Sequence, residues 1–255
     1  MNFLHPLPAA EFIGSKDRTL VRLCQGKTVL HLGFVNEGNL HDQLRQHIWL
    51  HGDIAAVASR VVGVDISEQG VQEARELGYS DCYVGDVEKL SAVPFPRINY
   101  DLILAPDIIE HLANPGLFLT ELHKVVPEET SVIITTPNAL SIRTIFFPIV
   151  GTEATHPDHN FIYSPTTLIT LLKKYGFNVT GVGLYSHVWV PSRKNLRKPL
   201  NLIGKSLFTV LDFALRYSVV PVFPYFSEGI LVRIQKEGRG ENHTAHSLNE
   251  RLVKA

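Results

Sequence analysis

A chain of 255 residues, 45% of them hydrophobic and 19% charged, is long enough to bury one large core, alone or with an appendage. Its formal net charge of -1 leaves no electrostatic footprint for nucleic acid, so no nucleic-acid partner is expected. With only two distant cysteines, Cys24 and Cys82, and no basic region leading into a long apolar run at the N-terminus, the expectation is free thiols in a reducing cytoplasm.

In chain order, residues 10–25 read as a leading helix, with Phe12, Leu20 and Leu23 apolar among charges. Thr28–Leu32 reads as a first strand, part of Leu40–Ser59 as helix, and Val61–Asp65 as a second strand. Ser67 is placed to cap a helix through Glu76, and Gly78 to stop it. Cys82–Val84 is a short third strand. Tyr100–Leu104 is a short apolar run of the kind buried in a parallel strand; it breaks at Ala105-Pro106, and Asp107 opens a short helix. Asn114 then caps a further helix with Pro115 at its first position, Leu117, Leu119 and Leu122 continuing its face. Ser131–Asn138 is a fifth strand, Ser164–Lys174 a helix ended by Gly176, and Phe177–Tyr185 and Gly229–Ile234 the last strands. Such alternation implies an α/β, doubly wound sheet, whose ligands lie outside the carboxyl ends of its strands. Glu110 and His111 follow the fourth strand into that crevice.

The stretch from Tyr100 to Leu119, with its Asp107-Ile-Ile-Glu-His-Leu112 turn, resembles the fourth motif of class I S-adenosylmethionine-dependent methyltransferases of the small-molecule type. Further segments fit in the same order. Lys27-Thr-Val-Leu-His-Leu-Gly-Phe34 looks like the first strand and its glycine turn, and Val61-Val-Gly-Val-Asp-Ile-Ser67 like the second strand ending in a ribose-binding acid. Tyr83-Val-Gly-Asp-Val-Glu88 looks like the adenine-side loop, and Ser131-Val-Ile-Ile-Thr-Thr-Pro-Asn138 resembles the fifth strand. The resemblance runs from about Lys27 to Thr180. It implies a Rossmann-like seven-stranded sheet with the last strand antiparallel, plus a helical lid insertion. The divisions expected are a helical segment (1–26), a methyltransferase core (27–190), a lid or membrane-facing insertion (191–228), the last core strand (229–237) and a mobile tail (238–255).

The implied cofactor is S-adenosylmethionine, and the expected binding residues are Gly33, Phe34, Asp65, Ile66, Asp86, Val87, Pro106 and Glu110. Gly33 frees the chain to turn tightly beneath a ligand. Asp65 can accept from both ribose hydroxyls, and its charge argues against a 2'-phosphate. Ile66 covers one adenine face, Asp86 accepts from the adenine amine, and Val87 lines the ring. Both acids can equally be caps of the helices that follow. Glu110 either binds the ammonium group of the cofactor or orients His111. The first turn departs from the family pattern, since Phe34 replaces a small residue and Gly38 comes late. His47-Ile-Trp-Leu-His-Gly-Asp53 resembles a subgroup with a remodelled first loop; it places Trp49 and His51 near the methionine end or bracing the loop, unless Trp49 is simply a buried structural residue.

Methyl transfer from a sulfonium needs alignment and a base for the proton of the acceptor, and histidine titrates near neutrality. The candidate bases are His111, His156 and His159, the last two in the loop before the Ser164 helix. His156 and His159 with Asp158 offer a metal alternative, but no third clear ligand is visible in the sequence, so no metal is expected. Residues 199–226 are apolar but interrupted by Lys205, Asp212 and Arg216, too short an uncharged run for a bilayer. They read as a lid with Leu202, Leu207, Leu211 and Leu215 inward. With the basic residues from Arg193 and the aromatic run Phe223–Phe226, they read alternatively as a peripheral membrane contact through 193–226 or a seat for a lipid-linked substrate. The function expected is methyl transfer to oxygen or nitrogen of a small or lipid- or glycan-linked acceptor. A binding-only protein of the same fold stays open, and a nicotinamide oxidoreductase is disfavoured for want of a Gly-x-Gly-x-x-Gly turn.

Overall fold

Strands that are apolar on both faces need cover on both faces, and four such runs form the middle of the sheet. The computed structural model describes residues 4–36, 40–46, 48–151, 153, 155–186, 218–220 and 222–238. Its strands are β1 (Glu11–Gly14), β2 (Thr28–Leu32), β3 (Arg60–Asp65), β4 (Cys82–Val84), β5 (Leu102–Pro106), β6 (Ser131–Pro137), β7 (Phe177–Tyr185) and β8 (Gly229–Lys236). They form one sheet of order β1-β7-β8-β6-β5-β2-β3-β4. β2, β3, β4, β5 and β6 pair in parallel, while β8 runs antiparallel to both β6 and β7. The helices are α1 (Lys16–Cys24), α2 (Leu40–Arg45), α3 (Leu50–Ala55), α4 (Glu68–Glu76), α5 (Pro115–Val125), α6 (Ile142–Phe146) and α7 (Pro165–Lys174). One apolar cluster, including Leu30, Val62, Ile103, Phe118 and Ile134, packs against one face of the sheet. A second, including Leu20, Val29, Leu104 and Ile133, packs beside α1 and α3.

The seven expected strands are present, with an eighth added at the edge. Residues expected to start the leading helix instead form β1, where Phe12 pairs with Leu184 in parallel register, and α1 begins only at Lys16 under a Ser15 cap. Tertiary pairing overrides local pattern here, because β1 covers backbone groups that β7 would otherwise expose at the sheet edge. The expected caps hold: Ser67 Oγ accepts from Gly70 N at 3.1 Å, Asn114 Oδ1 from Leu117 N at 2.9 Å, and Ser164 forms a capping box with Thr167.

Two boundaries differ around β5. The strand continues through Pro106, paired with Thr135, rather than breaking at Ala105. The amide of Asp107 donates to Thr135 O at 3.0 Å, so the nitrogen of Pro106 faces the other side, where β2 has already ended, and its missing N–H costs the ladder nothing. Asp107 does not open a helix; it sits in a turn with φ 49°, a left-handed conformation uncommon outside glycine. Residues 187–217, which hold most of the expected lid, and nearly all of the expected tail lie outside the described residues. Among the described residues no helix is long and apolar enough to cross a membrane. Cys24 and Cys82 are free and buried.

Candidate active site

Sheet order reverses between β2 and β5, the place where an open α/β sheet leaves a crevice. A cavity of about 820 Å³ occupies it, large enough for a nucleotide-sized ligand together with a small second molecule. Four strand ends line it: Gly33 after β2, Asp65 and Ile66 after β3, Asp86 and Val87 after β4, and Pro106 with Asp107 after β5. Gly33 has φ 66°, and a Cβ there would stand 2.2 Å from Ile108 Cγ2, so the turn tolerates only glycine.

At the nucleotide end, Asp65 Oδ2 accepts from Val35 N at 2.8 Å and Oδ1 from Ser67 N at 2.9 Å. Burial pushes its pKa up, and these backbone amides pull against that rise without cancelling it. A carboxylate offers about four acceptor positions, so two remain for a ligand diol. Asp86 Oδ1 accepts from Glu88 N at 2.8 Å, so the capping reading of this acid is true as well, while the residue still lines the cavity. Ile66 is 72% exposed, an apolar side chain lying uncovered along the wall.

Phe34 departs from expectation. Its ring is buried 4.5 Å from the His51 ring and 6.4 Å from Trp49, and it is absent from the cavity wall. Its carbonyl accepts from Trp49 Nε1 at 2.8 Å, so Trp49 and His51 brace the first loop from behind rather than touch a ligand. The reason is space: Gly63 of β3 has no side chain, and the Phe34 ring lies where a Cβ would stand, at 2.7 Å. His31 Nδ1 meets His51 Nδ1 at 3.2 Å. One nitrogen must donate and the other accept, which requires a neutral partner. Burial holds both rings neutral, lowering His51 to about 3 and His31 well below its usual value.

In the middle of the cavity stands a charge pair that the sequence did not reveal. Lys16, at the start of α1, forms an ion pair with Asp107 and lies 3.4 Å from Asp17. Burial lowers its pKa, but the two carboxylates outweigh this and leave it raised. The Asp107 carboxylate also accepts from Thr135 Oγ1 at 2.7 Å and from Tyr185 Oη at 3.1 Å. Glu110 is the second correction. Its side chain is buried behind the cavity wall, where Oε2 accepts from Thr136 Oγ1 at 2.9 Å and Oε1 has no hydrogen-bond partner. Burial, reinforced by the Asp107 charge, raises its pKa to about 8. It does not line the cavity; its backbone carbonyl does the positioning, accepting from Asn160 N at 2.8 Å and Phe161 N at 3.2 Å.

At the far end, His111, His156 and His159 line the same cavity with ring centroids 4.6 to 6.0 Å apart. The expected candidates are therefore neighbours, although 45 or more positions separate His111 from the other two. Asn160 Nδ2 donates to His111 O at 2.8 Å, stapling the two loops together. The pKa of His159 is lowered, first by burial and then by the other two imidazoles.

Residues 25–182 match the family model described as a methyltransferase domain. A Mycolicibacterium smegmatis protein named "Probable S-adenosylmethionine-dependent methyltransferase" is 30% identical over 161 residues, 63% of this chain and 55% of that protein. The malonyl-[acyl-carrier protein] O-methyltransferase of Erwinia billingiae is 29% identical over 96 residues, 37% of each chain. The chain thus spans about half the length of the first of these relatives and little over a third of the second. Among solved structures, a SAM-dependent methyltransferase from Archaeoglobus fulgidus superposes with TM-score 0.51 at 17% identity, covering 86% of this chain and 90% of its own. The magnesium protoporphyrin IX methyltransferase of Synechocystis PCC 6803, solved with bound SAH, gives 0.54 at 13% identity, covering 87% and 82%. Those two likenesses establish the fold. The match of the family model over most of the chain, on a sheet of this order, shows that the chain belongs to the class I S-adenosylmethionine-dependent methyltransferases.

Proposed function

We propose that this chain transfers the methyl group of S-adenosylmethionine to an oxygen or nitrogen of a small or lipid- or glycan-linked acceptor bound at the histidine end. The observation that carries the reading is one cavity with two chemically different ends. Asp65, Ile66, Asp86 and Val87 suit a nucleoside at one end, and three imidazoles suit proton removal at the other. Between them, Lys16 and Asp107 present opposite charges that match the carboxylate and ammonium of a methionine moiety. Phe34 turns away from the cavity, so the altered first turn leaves the pocket open, which favours a working site over a binding-only fold.

The chemistry asked of these residues is modest. The bound cofactor supplies an electrophilic methyl on a sulfonium. Asp65 would hold its ribose and the Lys16–Asp107 pair the two charges of its methionine part. A histidine at the far end of the cavity takes the proton of the acceptor as the nucleophile attacks in line. The oxygen acceptor named for the Erwinia relative supports an oxygen nucleophile here. A greasy or lipid-carried acceptor, and contact of residues 193–226 with a membrane surface, are supported by the basic residues from Arg193, the apolar stretch that follows and the aromatic run Phe223–Phe226.

Calorimetric titration of the purified chain with S-adenosylmethionine, S-adenosylhomocysteine and NAD tests the reading. Heat from both sulfur nucleotides and none from NAD is the expected result. Silence toward all three from a folded sample would overturn it.

A further inference from the structure

We propose that His111, His156 and His159 form a binding site for a divalent transition-metal ion of the zinc class, open toward the cavity. Each ring offers one nitrogen, and the three lie within 4.8 Å of one another. A tetrahedral zinc with Zn–N of about 2.0–2.1 Å needs its nitrogens roughly 3.4 Å apart, so modest side-chain rotation closes the set. Two of the rings are exposed and the third half-buried, which leaves them free to rotate. An all-imidazole set suits zinc, copper, nickel or iron far better than magnesium or calcium, which prefer oxygen.

The backbone holds the rings together. Asn160 Nδ2 donates to His111 O at 2.8 Å and Leu112 O at 3.3 Å, while Asn160 N and Phe161 N donate to Glu110 O. His159 N donates to His156 O at 3.1 Å, closing a turn that presents both rings of the His156-x-x-His159 pair together. Asp158 Oδ2 lies 3.8 Å from His156 Nδ1, so a small rotation of either exposed side chain lets it accept from Nδ1–H when Nε2 binds an ion. That arrangement gives up the 3.3 Å contact in which Nδ1 accepts from the Asp158 amide. The neutral imidazole is the form that ligates.

Three protein ligands leave one tetrahedral position vacant, and all three residues line the cavity that holds Asp65 and Asp107. The role of the ion rests on the methyltransferase reading; its binding does not. With the ion in place the imidazoles are its ligands and no longer the base, and a hydroxyl acceptor taking the fourth position loses its proton to solvent, because the ion lowers its pKa. Its oxygen then bonds to the methyl carbon as the S–CH3 bond breaks, the electron pair staying on sulfur to give the neutral thioether. This selects an oxygen acceptor over a nitrogen one.

The test titrates Co2+ and Zn2+ into the chelator-stripped full chain, reading Co2+ by its visible absorption and Zn2+ by calorimetry. One ion per chain with the intense absorption of four-coordinate Co2+ is expected. His159→Ala and the exposed His156→Ala should each weaken binding at least about 100-fold, and His5→Ala, outside the group, should not. No stoichiometric binding, or binding that survives both substitutions, overturns the proposal. S-adenosylhomocysteine titrated into the same sample separates the two readings. Metal bound with no response to the nucleotide leaves this site standing and removes the cofactor reading; nucleotide bound with no metal removes this site alone.

Discussion

At the nucleotide end of the cavity, the side chain that matters is fixed by one neighbour in sequence and by the first loop. Asp65 leaves β3, takes the Ser67 amide two residues on, and reaches back to the Val35 amide of the first loop. At the histidine end the set is assembled from two loops: His111 comes from the turn after β5, His156 and His159 from the loop before α7, and Asn160 ties the two together. The first end is defined by backbone hydrogen bonds to a buried carboxylate and by a buried aromatic brace. The second is assembled by the fold and keeps exposed rings, as a surface that must admit varied acceptors requires. Buried recognition of a constant cofactor and exposed presentation to the variable partner is a division of labour that one sheet can support.

The brace is the most sensitive point of the first end. Trp49 is 1% exposed and holds the first loop through Phe34 O. Trp49→Ala should destabilise the fold by about 3–5 kcal/mol, the range for truncating a buried large aromatic. Chemical denaturation measures it. A loss below about 1 kcal/mol would mean the loop stands without its brace, and the contrast between the two ends would weaken. Next comes Asp65→Ala, which removes a charged acceptor from both the loop and the ligand. Hydrogen bonds to charged groups are worth about 1.5–3 kcal/mol, so affinity for S-adenosylhomocysteine should fall roughly 10- to 100-fold. Unchanged affinity by calorimetry would leave Asp65 only its structural role toward Val35 and Ser67. Lys16→Met should cost less, about tenfold in the same titration, because Asp107 keeps Thr135 and Tyr185 as partners when the ammonium is gone. A Lys16→Met chain that binds the nucleotide normally would separate the charge pair from the cofactor.

Legibility in the sequence follows the same divide. Apolar runs of parallel strands, caps at Ser67, Asn114 and Ser164, and acids at strand ends are local signals, and each appears where the residues place it. β1 was hidden because four residues carry too little pattern to outweigh the helix behind them, and only the bare edge of β7 makes them a strand. Phe34 was misplaced because the room for its ring comes from Gly63, on a neighbouring strand. Lys16 could not be found at all: its partner Asp107 is 91 positions away, and no local feature of either residue names the other. The third ring beside His156 and His159 was hidden for the same reason, since His111 belongs to a different motif.

Glu110 gives no effect in acid and the sharpest one in shape. Its carboxyl is buried, bonded only through Oε2 to Thr136, and its pKa is raised to about 8 from 4.5. The folded state therefore holds a proton that the unfolded chain releases. That contribution to stability is fully present below pH 4.5, declines as pH rises, and is gone once pH passes about 8. His51 works in the opposite sense: lowered to about 3, it costs stability as pH falls from 6.5, when the unfolded chain takes up a proton that the folded one refuses. Glu110→Gln should match the native chain below about pH 4.5, where the carboxyl is neutral folded and unfolded alike, and be the more stable of the two at pH 7, where folding of the native chain has to take up a proton. It should also remove the decline between pH 5 and 8 while leaving the acid limb due to His51. Denaturation midpoints across that range decide the matter. If the decline persists in Glu110→Gln, Glu110 is ionised in the native state and the Asp107 turn rests on a charged pair of carboxylates instead of one.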